Sequence, residues 1–62
     1  MKIKPDVNLK ELCKDWTETD EFFKMKGPFD EFCIINKTTR EVQEEGYQLM
    51  FRDWVNIGVA EY

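Results

Sequence analysis

The stretch Asp20-Glu21-Phe22-Phe23-Lys24-Met25-Lys26-Gly27-Pro28 decides how this chain is divided between helices and strands. Read locally, it predicts a short helix from about Asp20 to Lys26. Acidic residues open it and lysines close it, the arrangement that the helix macrodipole favours. Gly27 is free to adopt a left-handed cap, and Pro28 cannot continue the helix.

Upstream, Asn8 reads as an N-cap with Glu11 three positions on, able to reach back to the cap N–H. Leu9, Leu12, Cys13 and Trp16 then fall at i, i+3, i+4 and i+7, one stripe of an α-helix. Thr17-Glu18-Thr19 separates this helix from the next, because hydroxyl side chains compete for the backbone hydrogen bonds. Together the two helical pieces span about residues 8 to 26. In front of them, Met1 to Pro5 alternates apolar and charged residues and suits a short edge strand ended by proline.

Downstream, Phe32 to Ile35 is an apolar run with β-branched residues, Asn36 to Thr39 is turn-prone, and Arg40 to Gln43 reads as a returning strand. The hairpin lacks Asn-Gly or Asp-Gly, so its turn type stays open. The final segment, about residues 44 to 57, reads as a helix. Tyr47, Met50, Phe51, Trp54 and Val55 share one side, with Ile57 at its edge, while Leu49 points with the polar residues. Glu44 and Glu45 suit its first turn, Gly46 costs it about 1 kcal/mol relative to alanine, and Gly58 is its C-cap. The expected fold is therefore α+β: one small domain over residues 1–62, a β-hairpin of two or three strands packed against two or three helices.

A chain of 62 residues buries only about 60% of its unfolded surface. Nine aromatic residues help it, since each ring can bury roughly 150 to 250 Å². Net charge is −4 and unevenly placed. Residues 1 to 26 hold six basic and six acidic groups, whereas residues 27 to 62 hold three and seven. An acidic second half opposes direct nucleic-acid binding, where affinity comes from Lys and Arg displacing counterions. No apolar run has the length of a membrane span, and Met1 to Asn8 lacks the apolar segment of a secretory signal. The expected compartment is the cytoplasm, without membrane association. Cys13 and Cys33 each occupy a position where cysteine serves as a small buried hydrophobe.

Catalytic signatures are missing. The chain has no histidine, which removes the commonest general base and the triads built on it. Its three glycines are isolated from one another, so no glycine-rich loop cradles a phosphate. Adjacent carboxylates such as Asp20 with Glu21, or Asp30 with Glu31, do not face each other on a helix or strand. No CxxC pair is present, and no cofactor or metal site is expected.

What is left points to binding. Phe22, Met25 and Leu49 are apolar residues not absorbed by the expected core, and Glu41, Glu44, Glu45 and Asp53 supply acidic contacts; these seven are the candidate partner-binding residues. The leading expectation is a non-enzymatic protein-binding regulator or inhibitor of a larger, basic cellular protein, with a phage or mobile element as its expected carrier. A second is an acidic nucleic-acid mimic presenting Asp30, Glu31, Glu41, Glu44, Glu45 and Asp53 to a basic groove. A third is a homo-oligomeric subunit with Phe22, Met25 and Leu49 at a symmetric interface.

Overall fold

In the computed structural model of the chain, which describes residues 1–46 and 48–61, Phe22–Lys26 is a β-strand and not a helix. Its neighbours explain the difference. Phe23 lies opposite Glu18 on one side and Ile35 on the other, and Lys24 lies between Thr17 and Ile34. An isolated seven-residue helix is marginal in water, because its nucleus is costly and few hydrogen bonds follow. A strand paired on both edges satisfies its backbone through its neighbours.

The described residues form β1 (Lys2–Ile3), α1 (Leu9–Leu12), β2 (Thr17–Glu18), β3 (Phe22–Lys26), β4 (Phe32–Asn36), β5 (Val42–Glu45), α2 (Gln48–Asn56) and β6 (Ala60–Glu61). Strands β2 to β5 make an antiparallel meander in sequence order, and β1 pairs with β6 in a separate two-stranded ribbon. The ribbon is tied to the meander where Lys2 bridges Glu41. There the Ile3 N–H donates to the Arg40 carbonyl, and the Val42 N–H donates to the Met1 carbonyl, each at 2.9 Å. The expected hairpin on helices is thus replaced by a sheet-rich fold with two short helices.

The hairpin itself is present. Asn36 Oδ1 accepts the Thr38 and Thr39 N–H groups at 2.8 and 2.9 Å, turning the chain, and Arg40 completes the reversal in the left-handed region at φ 63. Gly27 and Pro28 serve a second hairpin, between β3 and β4, and do not end a helix. Asp30, not Gly27, takes the positive φ there, at 63. Thr19 closes the β2–β3 turn, its hydroxyl oxygen accepting the Glu21 and Phe22 N–H groups at 3.3 and 3.1 Å.

Helix α1 is a single turn capped as expected, with Asn8 Oδ1 accepting the Glu11 N–H at 3.3 Å. It ends early, and the chain turns through Cys13 to Asp15 into β2. Leu9 and Cys13 are nevertheless buried, with Leu12 and Trp16 packed against them, so the apolar spacing selects the inward residues although the helix is short. Helix α2 starts at Gln48, later than expected. Glu44 and Glu45 belong to β5, and Gly46 at φ 90 breaks the chain between strand and helix. The helix ends in a Schellman motif. Gly58 at φ 81 donates to the Val55 carbonyl at 3.2 Å, and Val59 donates to the Trp54 carbonyl at 2.8 Å.

Ile3, Leu9, Cys13, Phe23, Cys33, Ile35, Trp54 and Ala60 form the core, which gathers residues from both sheets and both helices. Among the described residues, no helix is long and apolar enough to cross a membrane.

Candidate protein-contact face

Successive side chains of a strand point to opposite faces, so the register of the meander sorts them. Phe23 and Met25 on β3, Cys33 and Ile35 on β4, and Val42 on β5 share the face turned to the core. Phe22, Lys24, Lys26, Phe32, Ile34, Gln43 and Glu45 occupy the other face. Of these, Phe22, Phe32 and Ile34 are half-buried and the polar ones are exposed. Open grooves of about 410 and 380 Å³ flank Ile34, so solvent reaches both sides of its side chain. No described element covers this face.

The register arranges the face in rows across the strands. Lys26, Phe32 and Glu45 form one row, and Lys24, Ile34 and Gln43 the next. Phe22 lies opposite Asn36 at the far end. In these two rows basic side chains therefore stand on β3, apolar ones on β4, and an acidic one on β5, while Phe22 adds an apolar side chain at the far end of β3. The internal ion pair of Lys26 with Asp30 is long, 3.9 Å, and exposed, and contributes little. At the end of the β3–β4 hairpin, Phe29 is 88% exposed, its N–H donating to Glu31 Oε2 at 2.9 Å.

The structure separates the seven candidate residues. Phe22 and Glu45 share the open face. Met25 faces the core side and packs against the buried cluster. Glu44 is on the same side as Met25, opposite Cys33, and is half-buried. Glu41 bridges Lys2 at the junction of the two sheets, and Asp53 is exposed on α2. The side chain of Leu49 lies outside the described residues, as do those of Tyr47, Met50 and Phe51. Of the expected α2 stripe, Trp54 is buried and Val55 half-buried, while Ile57 is 70% exposed.

Sequence reasoning missed Phe32 and Ile34 as surface residues, because Phe32-Cys33-Ile34-Ile35 reads as one apolar run. Splitting it with the strand period separates Phe32 and Ile34 from Cys33 and Ile35. Phe29 was also missed, although a hairpin end is where an apolar side chain is least able to find cover.

Electrostatics elsewhere are local. Lys37 Nζ contacts Glu18 Oε2 at 2.6 Å and sits 5.0 Å from the centre of the Phe23 ring. The hydrogen bond from Lys37 holds the Glu18 carboxyl below its ordinary range. Arg40 Nη1 donates to the Lys4 and Val7 carbonyls at 2.8 and 2.7 Å, tying the segment after β1 to the β4–β5 turn. Cys13 and Cys33 are free thiols in the core, and burial pushes them up to about 11 and about 12. Such thiols stay protonated and act as packing groups. No protein-family model, curated protein or solved structure matches this chain.

Proposed function

We propose that this chain is a non-enzymatic protein-binding regulator or inhibitor that works in the cytoplasm and makes its contact through the open face of the β2–β5 sheet. The observation that carries this reading is the stripe of Phe22, Ile34 and Phe32, three large apolar side chains left partly exposed on one face of the sheet with polar residues around them. An apolar centre with a polar rim is the anatomy of a protein interface. The acidic-mimic reading has less support: Glu44 and Glu45 point to opposite faces of β5, while Asp30 lies in a turn and Asp53 on a helix, so they do not line up as a phosphate row.

Affinity capture from a host lysate tests the reading, comparing the native chain with Ile34→Glu. A protein retained by the native chain at high salt and lost by the variant is the expected result. Equal capture by both chains would overturn the assignment of this face. A partner released at low salt would favour the acidic groups instead.

A further inference from the structure

We infer that the open face of the β2–β5 sheet takes a second copy of this chain, packed face to face about a two-fold axis parallel to β4. The inference rests on the reading of that face as a protein-contact surface and names its occupant. What selects a second copy is the order of charges across the strands: lysines on β3, apolar residues on β4, and Glu45 on β5.

A face is self-complementary only if a two-fold rotation brings unlike charges together. Two choices of axis lie in the plane of the sheet. An axis across the strands returns each strand to its own side, placing lysine over lysine and leaving Glu45 opposite β5 of the second copy, which offers it no basic partner on this face. An axis along β4 exchanges the β3 and β5 sides while keeping the level along the strand. Lys26 and Glu45 stand at one level, on either side of Phe32. The rotation therefore sets Lys26 over Glu45 of the second copy and Glu45 over its Lys26, two equivalent contacts from one pair of residues. Lys24 likewise meets Gln43. Phe32 and Ile34 lie near the axis and pack on their own counterparts, closing the two grooves beside Ile34.

The geometry is that of two sheets stacked about 10 Å apart with their strands inclined by roughly 30° because each is twisted. Three strands of about five residues span roughly 10 by 17 Å between outer strand axes. That is a small interface, so the association is expected in the micromolar range. A larger target acting at the same face competes with it.

Sedimentation equilibrium of the purified chain, from low to high micromolar concentration, tests the inference. The native chain should pass from monomer to dimer, and Ile34→Glu should remain monomeric. Lys26→Glu and Glu45→Lys should each weaken the dimer by about tenfold, since each replaces two attractive contacts with two repulsive ones. An equimolar mixture of these two variants should regain native affinity, because in the mixed dimer both contacts are again between unlike charges. Lys26 and Glu45 are exposed, and far-ultraviolet circular dichroism should show both variants folded. A native chain monomeric throughout, a dimer indifferent to Ile34→Glu, or a mixture no tighter than its components would each overturn the assignment. A strictly monomeric chain whose lysate capture still depends on Ile34 would overturn the second copy alone and leave the contact face standing. A dimer that behaves as expected, with lysate capture indifferent to Ile34, would leave the second copy standing and overturn the reading of this face as the site for a larger target.

Discussion

The Trp16 and Trp54 rings stack, their centroids 6.1 Å apart and their planes inclined by 24°. This contact joins the segment after α1 to α2 across the core. Offset-stacked aromatic pairs contribute about 0.5 to 1.5 kcal/mol beyond the area they bury. A double-mutant cycle with Trp16→Ala and Trp54→Leu, each of which removes one ring, followed by urea unfolding, should return a coupling energy in that range. Strict additivity would mean that the rings do not interact. Trp54→Ala alone should cost about 3 to 5 kcal/mol, enough to unfold a domain of this size.

Two glycines hold positive φ, but in different surroundings. A Cβ on Gly46 would stand 2.7 Å from the Glu31 Cβ, whereas one on Gly58 meets only the flexible Lys4 Nζ at 3.9 Å. Gly58→Ala should therefore cost about 1 to 2 kcal/mol from the left-handed conformation alone. Gly46→Ala should cost more, about 3 kcal/mol, because strain and a side-chain clash add. Thermal unfolding of both variants gives the order, and equal losses would contradict the close approach to Glu31.

The raised thiols imply a stability that falls at alkaline pH. Below the ordinary cysteine value of 9.0, Cys13 and Cys33 are neutral in both folded and unfolded chains. Above it, the unfolded chain releases protons that the folded chain holds until about pH 11 and 12, so stability declines across that interval. The double variant Cys13→Ala, Cys33→Ala should show a flatter dependence of unfolding free energy on pH above 9, whatever its stability at pH 7.

Glu18 carries the opposite sign. Its carboxyl is held low chiefly by the hydrogen bond from Lys37; desolvation opposes this, and the charges of Lys37 and Lys10 add smaller lowering effects. The contribution is present above the ordinary value of 4.5 and is lost as pH falls through the lower folded value. A carboxyl titration followed by nuclear magnetic resonance should place Glu18 below its ordinary value, and Lys37→Met should return it upwards. A Glu18 titration unchanged in Lys37→Met would show that the 2.6 Å contact does not persist in solution.

What the sequence determined by itself is what a few neighbouring residues settle. Asn8 caps α1, Asn36 turns the β4–β5 hairpin and Gly58 ends α2, each through bonds spanning a few positions. Burial of Leu9, Cys13 and Trp54 was legible for the same reason, since apolar spacing marks an inward face. The segment from Phe22 to Lys26 was not. Its charges suit a helix, while Phe23-Lys24-Met25-Lys26 also alternates as a strand should, and over so few residues neither period prevails. The sheet decided between them, because β2 and β4 supply hydrogen-bond partners on both edges of β3 and Ile35 meets Phe23 in the core. Glu44 and Glu45 changed from helix to strand when β4 offered them an edge. The same pairing created the open face: Lys26 and Glu45 are 19 positions apart in the chain, and only the register of β3, β4 and β5 sets them at one level on either side of Phe32.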